Sequence, residues 1–338
     1  MPLLHRTTRF IAQRLYAITF LSAIGCTSLA SAQATAPSPA VIEHPVPQQS
    51  GVNQKVHLAS DRSTMPLVLV KGYPFLEGEV NGIKGKLLFD VGEEESFALN
   101  THRVTPPDGK VIGHGFFGSG QTFTVSRFPL VDDLKLADGP DYTAIPNVRG
   151  SSGQQLEDNI TPDFIGWIGI AFFDGYVIKL DYQHPSVTFY RNDAASAGKQ
   201  AALKGEKVLQ VIHFDFAGHR NLLAFPVKLG NLPFIANLDT GSHDTVWLTP
   251  ELIKTMKAAG TLHCTTDECK LSSVSIDNHV ISLRSHTDLI EGKAAVSEKM
   301  GHANDNIMTL GYEFLSKFKT VWNYQDQTLT LLSKDGPE

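Results

Sequence analysis

The sequence predicts a mostly β protein of two similar lobes in one chain, related by a pseudo-twofold axis with a cleft between them. Three observations carry that prediction. Short apolar runs punctuated by Asn-Gly and Gly-Asn turns recur from about Met65 onwards, the pattern of strands and hairpins. The ends of the two halves repeat: Gly169, Phe172, Tyr182, Gln183 and Thr188 match Gly311, Phe314, Tyr324, Gln325 and Thr330 at a constant offset of 142. Finally, an apolar run delivers an Asp-x-Gly turn in each half, Asp90-Val91-Gly92 and Asp239-Thr240-Gly241, at an offset of 149. Under a pseudo-twofold, equivalent turns can meet at the interface, so Asp90 and Asp239 are expected to face each other.

The 338 residues suffice for two packed lobes, and 42% apolar with 19% charged residues is an ordinary globular composition. A net charge of -6 and the lack of a basic stripe argue against a nucleic-acid partner. Residues 1–32 read as a signal peptide: Arg6, Arg9 and Arg14 precede a short apolar run, and Ala30-Ser31-Ala32 offers a cleavage site before Gln33. The chain is therefore expected in the periplasm or secreted. Lipid anchoring at Cys26 is the second-ranked reading, because Ala23 stands where such signals usually carry leucine. The apolar run is shorter than the roughly 20 residues a membrane helix needs, and no transmembrane segment is expected in the mature chain. With the leader removed, Cys264 and Cys269 remain, and in an oxidising compartment they are expected to form a local disulfide. His263 alone could join them on a metal, so no metal and no cofactor are expected.

Residues 33–60, rich in Pro, Ala, Ser and Gln, read as a disordered tether. Residues 61–192 form the first lobe. Its strands are expected at Leu67–Val70, Phe75–Val80 and Lys84–Phe89, with Asn81-Gly82 as a hairpin turn, and Asp90-Val91-Gly92 closes the third. Further runs lie at Phe97–Leu99, Phe164–Ile170, Tyr176–Tyr182 and Val187–Tyr190. The glycine-dense stretch from Gly113 to Gly120 is a candidate hairpin tip over the cleft, with His114, Phe116 and Phe117 as candidate substrate contacts. Residues 193–207 connect the lobes, and residues 208–334 repeat the order: strands at Leu222–Leu229 and Phe234–Leu238 deliver Asp239. A helix from Pro250 to Ala259, capped by Thr249, follows. Strands near Val274–Ile276, His279–Leu283, Ile307–Tyr312, Thr320–Tyr324 and Leu329–Leu332 complete the half. Trp167, Trp247 and Trp322 are expected in the core.

A strand, Asp-Thr/Ser-Gly, a second apolar strand and later two apolar residues before a glycine (here Trp167-Ile168-Gly169 and Thr309-Leu310-Gly311) resembles the aspartic proteases. The extensions Gly169–Phe173 and Gly311–Leu315 look most like the compact retropepsin-like β-barrel lobes of bacteria. The resemblance implies an aspartic endopeptidase in which Asp90 and Asp239 share one proton and activate a water against a peptide bond. It implies support from Gly92 and Gly241, from Thr240 bonding the opposite turn, and from Ser242 bonding its own aspartate. Val91 departs from the pattern, having no hydroxyl, and Glu93 stands where a small residue is usual. Glu93, Glu94 and Glu95 are expected on a solvated rim. The departures motivate an alternative, a catalytically impaired peptide-binding or regulatory module of the same fold. A single-chain monomer acting on peptide or protein substrates is expected ahead of a homodimer joined through its second lobes.

Overall fold

The structure, a computed structural model, describes residues 56–116, 121–193, 197–294 and 296–335. The expected signal peptide, Cys26 and the tether as far as residue 55 lie outside the described residues. The last part of the expected tether is ordered, because its apolar residues find the core: Val56 and Leu58 are buried. The Tyr142 and Tyr176 hydroxyls donate to the carbonyls of His57 and Leu58.

A six-stranded sheet joins the two halves, each supplying three strands. In order across the sheet these are Arg62–Pro66, Ser186–Arg191, Tyr176–Asp181, Lys319–Asn323, Thr328–Leu332 and Val208–His213. The seam is antiparallel, with Ile178 opposite Trp322 and Leu180 opposite Thr320. From each edge inward the halves contribute equivalent strands, which is the arrangement a pseudo-twofold at the seam requires. The four inner strands are buried along most of their length because both of their faces are covered. On one face Val177, Tyr190, Val321 and Leu332 pack with Ala202 of the helix Gly198–Leu203. The inter-lobe connection is thus partly this helix, lying on the shared sheet.

The duplication is repeated in topology. In the first half, Ile83–Phe89 runs parallel to Phe164–Ile168, which pairs antiparallel with Phe97–Asn100, itself parallel to Asp141–Ser151. In the second, Leu232–Leu238 runs parallel to Ile307–Leu310, which pairs antiparallel with Thr245–Leu248, itself parallel to His286–Glu291. These central strands are continuous apolar runs because they are buried on both sides, as Phe97–Asn100, Thr245–Leu248 and Ile307–Leu310 are along their whole length. Trp167, Trp247 and Trp322 are buried.

Two long strands, Thr122–Leu136 and Asp141–Ser151, pair along most of their length in a segment where the sequence marked no element. Their buried positions follow no strict alternation, so the period-2 signal that marks a half-buried strand is absent. The second-half helix spans Pro250–Ala258, with Thr249 Oγ1 accepting from the Leu252 N–H at 3.3 Å. Among the described residues no helix is long and apolar enough to cross a membrane.

Candidate active site

The two Asp-x-Gly turns are placed by equivalent bonds. The Asp90 N–H donates to the Ile168 carbonyl at 2.9 Å and the Asp239 N–H to the Leu310 carbonyl at 3.2 Å. Beyond each aspartate, Ile170 N–H donates to Glu93 O at 2.8 Å and Tyr312 N–H to Ser242 O at 2.9 Å. The glycines that end the parallel strands make this crossing possible. A Cβ on Gly169 would lie 2.3 Å from the Glu93 and Glu95 carbonyl oxygens, and one on Gly311 2.2 Å from that of Ser242. Backbone occupies the space, so only glycine fits.

Asp90 and Asp239 meet across the join. Each is also held by its own turn: Gly92 N–H donates to Asp90 Oδ1 at 2.7 Å and Gly241 N–H to Asp239 Oδ1 at 2.8 Å. Each carboxyl lies over the opposite glycine. A Cβ on Gly241 would sit 2.7 Å from Asp90 Cγ, and one on Gly92 3.0 Å from Asp239 Oδ1. Both aspartates keep some access to solvent. Burial raises the Asp90 carboxyl well above the ordinary carboxylate range, and the charges of Asp239 and Glu93 add to it. Burial raises Asp239 as well, while the Gly241 N–H and the adjacent Asp90 carboxyl draw it back down. Both carboxyls are raised, the condition under which such a pair titrates together and not as two separate acids.

Thr240, fully buried, reaches the opposite turn. Its Oγ1 accepts from the Val91 N–H at 3.0 Å and donates to the Phe89 carbonyl at 2.8 Å. Val91 is buried in the equivalent place and cannot reciprocate. Ser242 does not bond Asp239; with its carbonyl fixed by Tyr312 N–H, its hydroxyl donates to the His243 carbonyl at 2.8 Å.

The glutamate run is not on a solvated rim. Glu93 and Glu95 are buried because arginines wait for them: Glu93 pairs with Arg149, and Glu95 with Arg127 at 2.9 Å. Glu94 meets His219 of the other half at 2.9 Å, and Asn221 Nδ2 donates to the Gly92 carbonyl at 2.6 Å. Hairpin turns cross over reciprocally. Residues 219–221 of the second half dock on the Asp90 turn, and Lys71-Gly72 of the first half docks where Gly72 meets the Tyr312 ring.

Beside the second turn, His243 Nδ1 lies 2.5 Å from Glu313 Oε1, and Glu313 Oε2 accepts from the Asp244 N–H at 2.7 Å. The Glu313 bond holds the His243 imidazole above its ordinary pKa. Asp244 is fully buried; Oδ1 accepts from the Gly311 and Phe314 N–H groups, while Oδ2 has no partner among the described residues. Burial, with the Glu313 charge, pushes Asp244 up to about 7. Tyr73 packs edge-on against His243, with ring centroids 4.8 Å apart, and burial with the Asp288, Asp239, Glu313 and Asp90 charges raises it to about 12.

The sequence did not single out Arg149, Arg127, Asn221, Asp244 or Glu313. The arginines come from the unmarked long strands, and Asn221 reads as one more polar turn residue. Glu313 carried a signal, a charge inside the apolar Gly311–Leu315 repeat.

His114 lies exposed opposite Thr124 in the hairpin of Lys110–Phe116 and Thr122–Leu136, and no contact joins it to either aspartate among the described residues. Phe116 ends that strand, and Phe117 lies outside the described residues. Cys264 and Cys269 are directly opposite across a ladder and form a disulfide. Among the described residues no group of three or more His, Cys, Asp or Glu side chains could hold a metal ion.

The sequence matches no protein-family description and no curated protein. Among solved structures, the chain is similar to basic 7S globulin from soybean at 9% identity, over 80% of this chain and 95% of that one, with a TM-score of 0.48.

Proposed function

We propose that this chain is an aspartic endopeptidase with two retropepsin-like lobes, hydrolysing peptide bonds through Asp90 and Asp239. The observation that supports this best is the mutual approach of the two carboxyls, each over the opposite glycine. Two carboxyls in contact cannot both ionise cheaply, so the pair holds one proton over a range of pH. The ionised member of the pair takes a proton from a bound water as the water oxygen attacks the scissile carbonyl. The protonated member gives its proton to the carbonyl oxygen, and a neutral gem-diol forms with no covalent bond to the enzyme. Collapse of the diol returns a proton to the leaving amine and breaks the C–N bond.

The test is cleavage of a peptide library by the chain beginning at Gln33, across acidic and neutral pH. Asp239→Asn and Asp90→Asn are each expected to lose activity, and wild-type rates in both variants would overturn the mechanism. The leader and the disulfide support an exported protein, for which a secreted chain starting at Gln33 is the expected product. One observation favours a second reading, a peptide-binding module without catalysis: Val91 leaves the grip between the turns one-sided. Saturable binding of library peptides with no product from wild type would select it.

A further inference from the structure

The Asp90 turn lacks one hydroxyl, and each of the five residues after Asp90 is held from outside. Val91 N–H meets Thr240 Oγ1, the Gly92 carbonyl accepts from Asn221, Glu93 pairs with Arg149, Glu94 with His219 and Glu95 with Arg127. Arg127 and Arg149 stand directly opposite each other across the ladder between Thr122–Leu136 and Asp141–Ser151. They form a cationic step against which the glutamates are buried. The counterpart turn is held differently: Ser242 occupies the place of Glu93, and His243 and Asp244 are held by Glu313 and by the Gly311 and Phe314 N–H groups.

The geometry leads from these partners to the Asp90 carboxyl in few bonds. Asn221 fixes the carbonyl of Gly92, whose N–H holds Asp90 Oδ1 at 2.7 Å. Gly92 also abuts the Asp239 carboxyl, so a tilt there disturbs both acids. Arg149 fixes Glu93, whose N–H donates to the Asp90 carbonyl at 3.2 Å and whose Oε1 accepts from the Glu95 N–H at 2.9 Å. Neither Arg149 nor Asn221 touches the reacting atoms. We propose that Arg149 and Asn221 are positioning residues that keep the Asp90 carboxyl in register with Asp239, in place of the hydroxyl that Val91 lacks. This rests on the shared-proton reading of the dyad.

Arg149 has a second, electrostatic effect. The groups near Asp90 are Asp239 and Glu93, with Tyr73 of Tyr73–Val80 and Tyr324 of the turn after Lys319–Asn323. Arg149 offsets the Glu93 charge. Without it Glu93 acts unopposed, Asp90 keeps its proton to higher pH, and the alkaline limb of the activity profile moves up.

The experiment uses the chain from Gln33 with Arg149→Met, Arg149→Lys and Asn221→Ala, with kcat and KM measured across pH. Carboxyl-carbon NMR follows the Asp90 titration, and circular dichroism checks folding. Arg149→Met and Asn221→Ala are expected to lower kcat about ten- to a hundredfold with KM changed by about twofold or less. The alkaline limb should rise in Arg149→Met, and Arg149→Lys should recover much of kcat and restore the limb. Folded variants with unchanged kcat and unchanged pH profile would overturn the proposal. Should Arg149→Met fail to fold, unchanged kcat in Asn221→Ala does the same. If wild type cleaves no peptide, the dyad reading fails by itself. The NMR titration then decides, and an Asp90 titration indifferent to Asn221→Ala and to folded Arg149→Met rejects the positioning role.

Discussion

The Thr240 hydroxyl serves both turns, and removing it should show how much of the join depends on it. Thr240→Val leaves the Val91 N–H and the Phe89 carbonyl without their partner in a buried place, a loss of about 1–3 kcal/mol by urea unfolding. Val91→Thr should cost less than about 1 kcal/mol in the same assay, because the new hydroxyl meets backbone of the opposite turn. Gly241→Ala is a harsher test: its methyl would stand 2.7 Å from Asp90 Cγ, so cleavage should vanish while the circular dichroism spectrum stays β-rich. Asp244 gives a pH prediction. Its folded carboxyl is raised to about 7, so between its ordinary range and about 7 the native state binds the proton that the unfolded state releases. This acid's contribution is therefore present at low pH and lost as pH rises toward 7. Asp244→Asn, which cannot ionise, should gain stability relative to wild type over that interval; a constant difference between pH 4 and 7 would refute it.

At the scale of elements, the sequence announced those whose signals are local. Asn81-Gly82 turns a hairpin, Thr249-Pro250 starts a helix, and buried runs such as Phe97–Asn100 cannot be mistaken for loops. Thr249→Ala should cost about 1 kcal/mol through the lost cap. Replacing both cysteines by serine should cost roughly 2 kcal/mol, since the loop closed between Cys264 and Cys269 is short. The strands Thr122–Leu136 and Asp141–Ser151 were not legible, because Pro129, Pro146 and Asp132-Asp133 read as breaks in a segment with no regular alternation. Missing those strands hid Arg127 and Arg149. Without the arginines, three consecutive glutamates have no reason to leave water, so the sequence set Glu93 and Glu95 at the surface. The paired aspartates were legible because their signal is a repeat, and repetition survives where a single side-chain contact does not.

Across the whole molecule, the shared six-stranded sheet makes each half depend on the other. Neither half alone can cover the seam strand, Tyr176–Asp181 on one side or Lys319–Asn323 on the other, and an open apolar edge invites aggregation. Residues 56–192 and 197–335 expressed apart should therefore fail to give soluble folded protein. The intact chain should unfold in one transition by both circular dichroism and tryptophan fluorescence; two separated transitions would show that the seam does not couple the halves.

The seam also fixes what the two acids can become. A protein assembled from two copies of one lobe has identical aspartates, and any change near one is imposed on the other. Here both lobes belong to one chain, so valine can replace threonine on one side while threonine persists on the other, and a glutamate–arginine pair can stand behind Asp90 alone. Covalent continuity thus makes symmetry breaking heritable. The two carboxyls stand in different surroundings before any ligand arrives, where in a homodimer that difference would have to await a bound substrate.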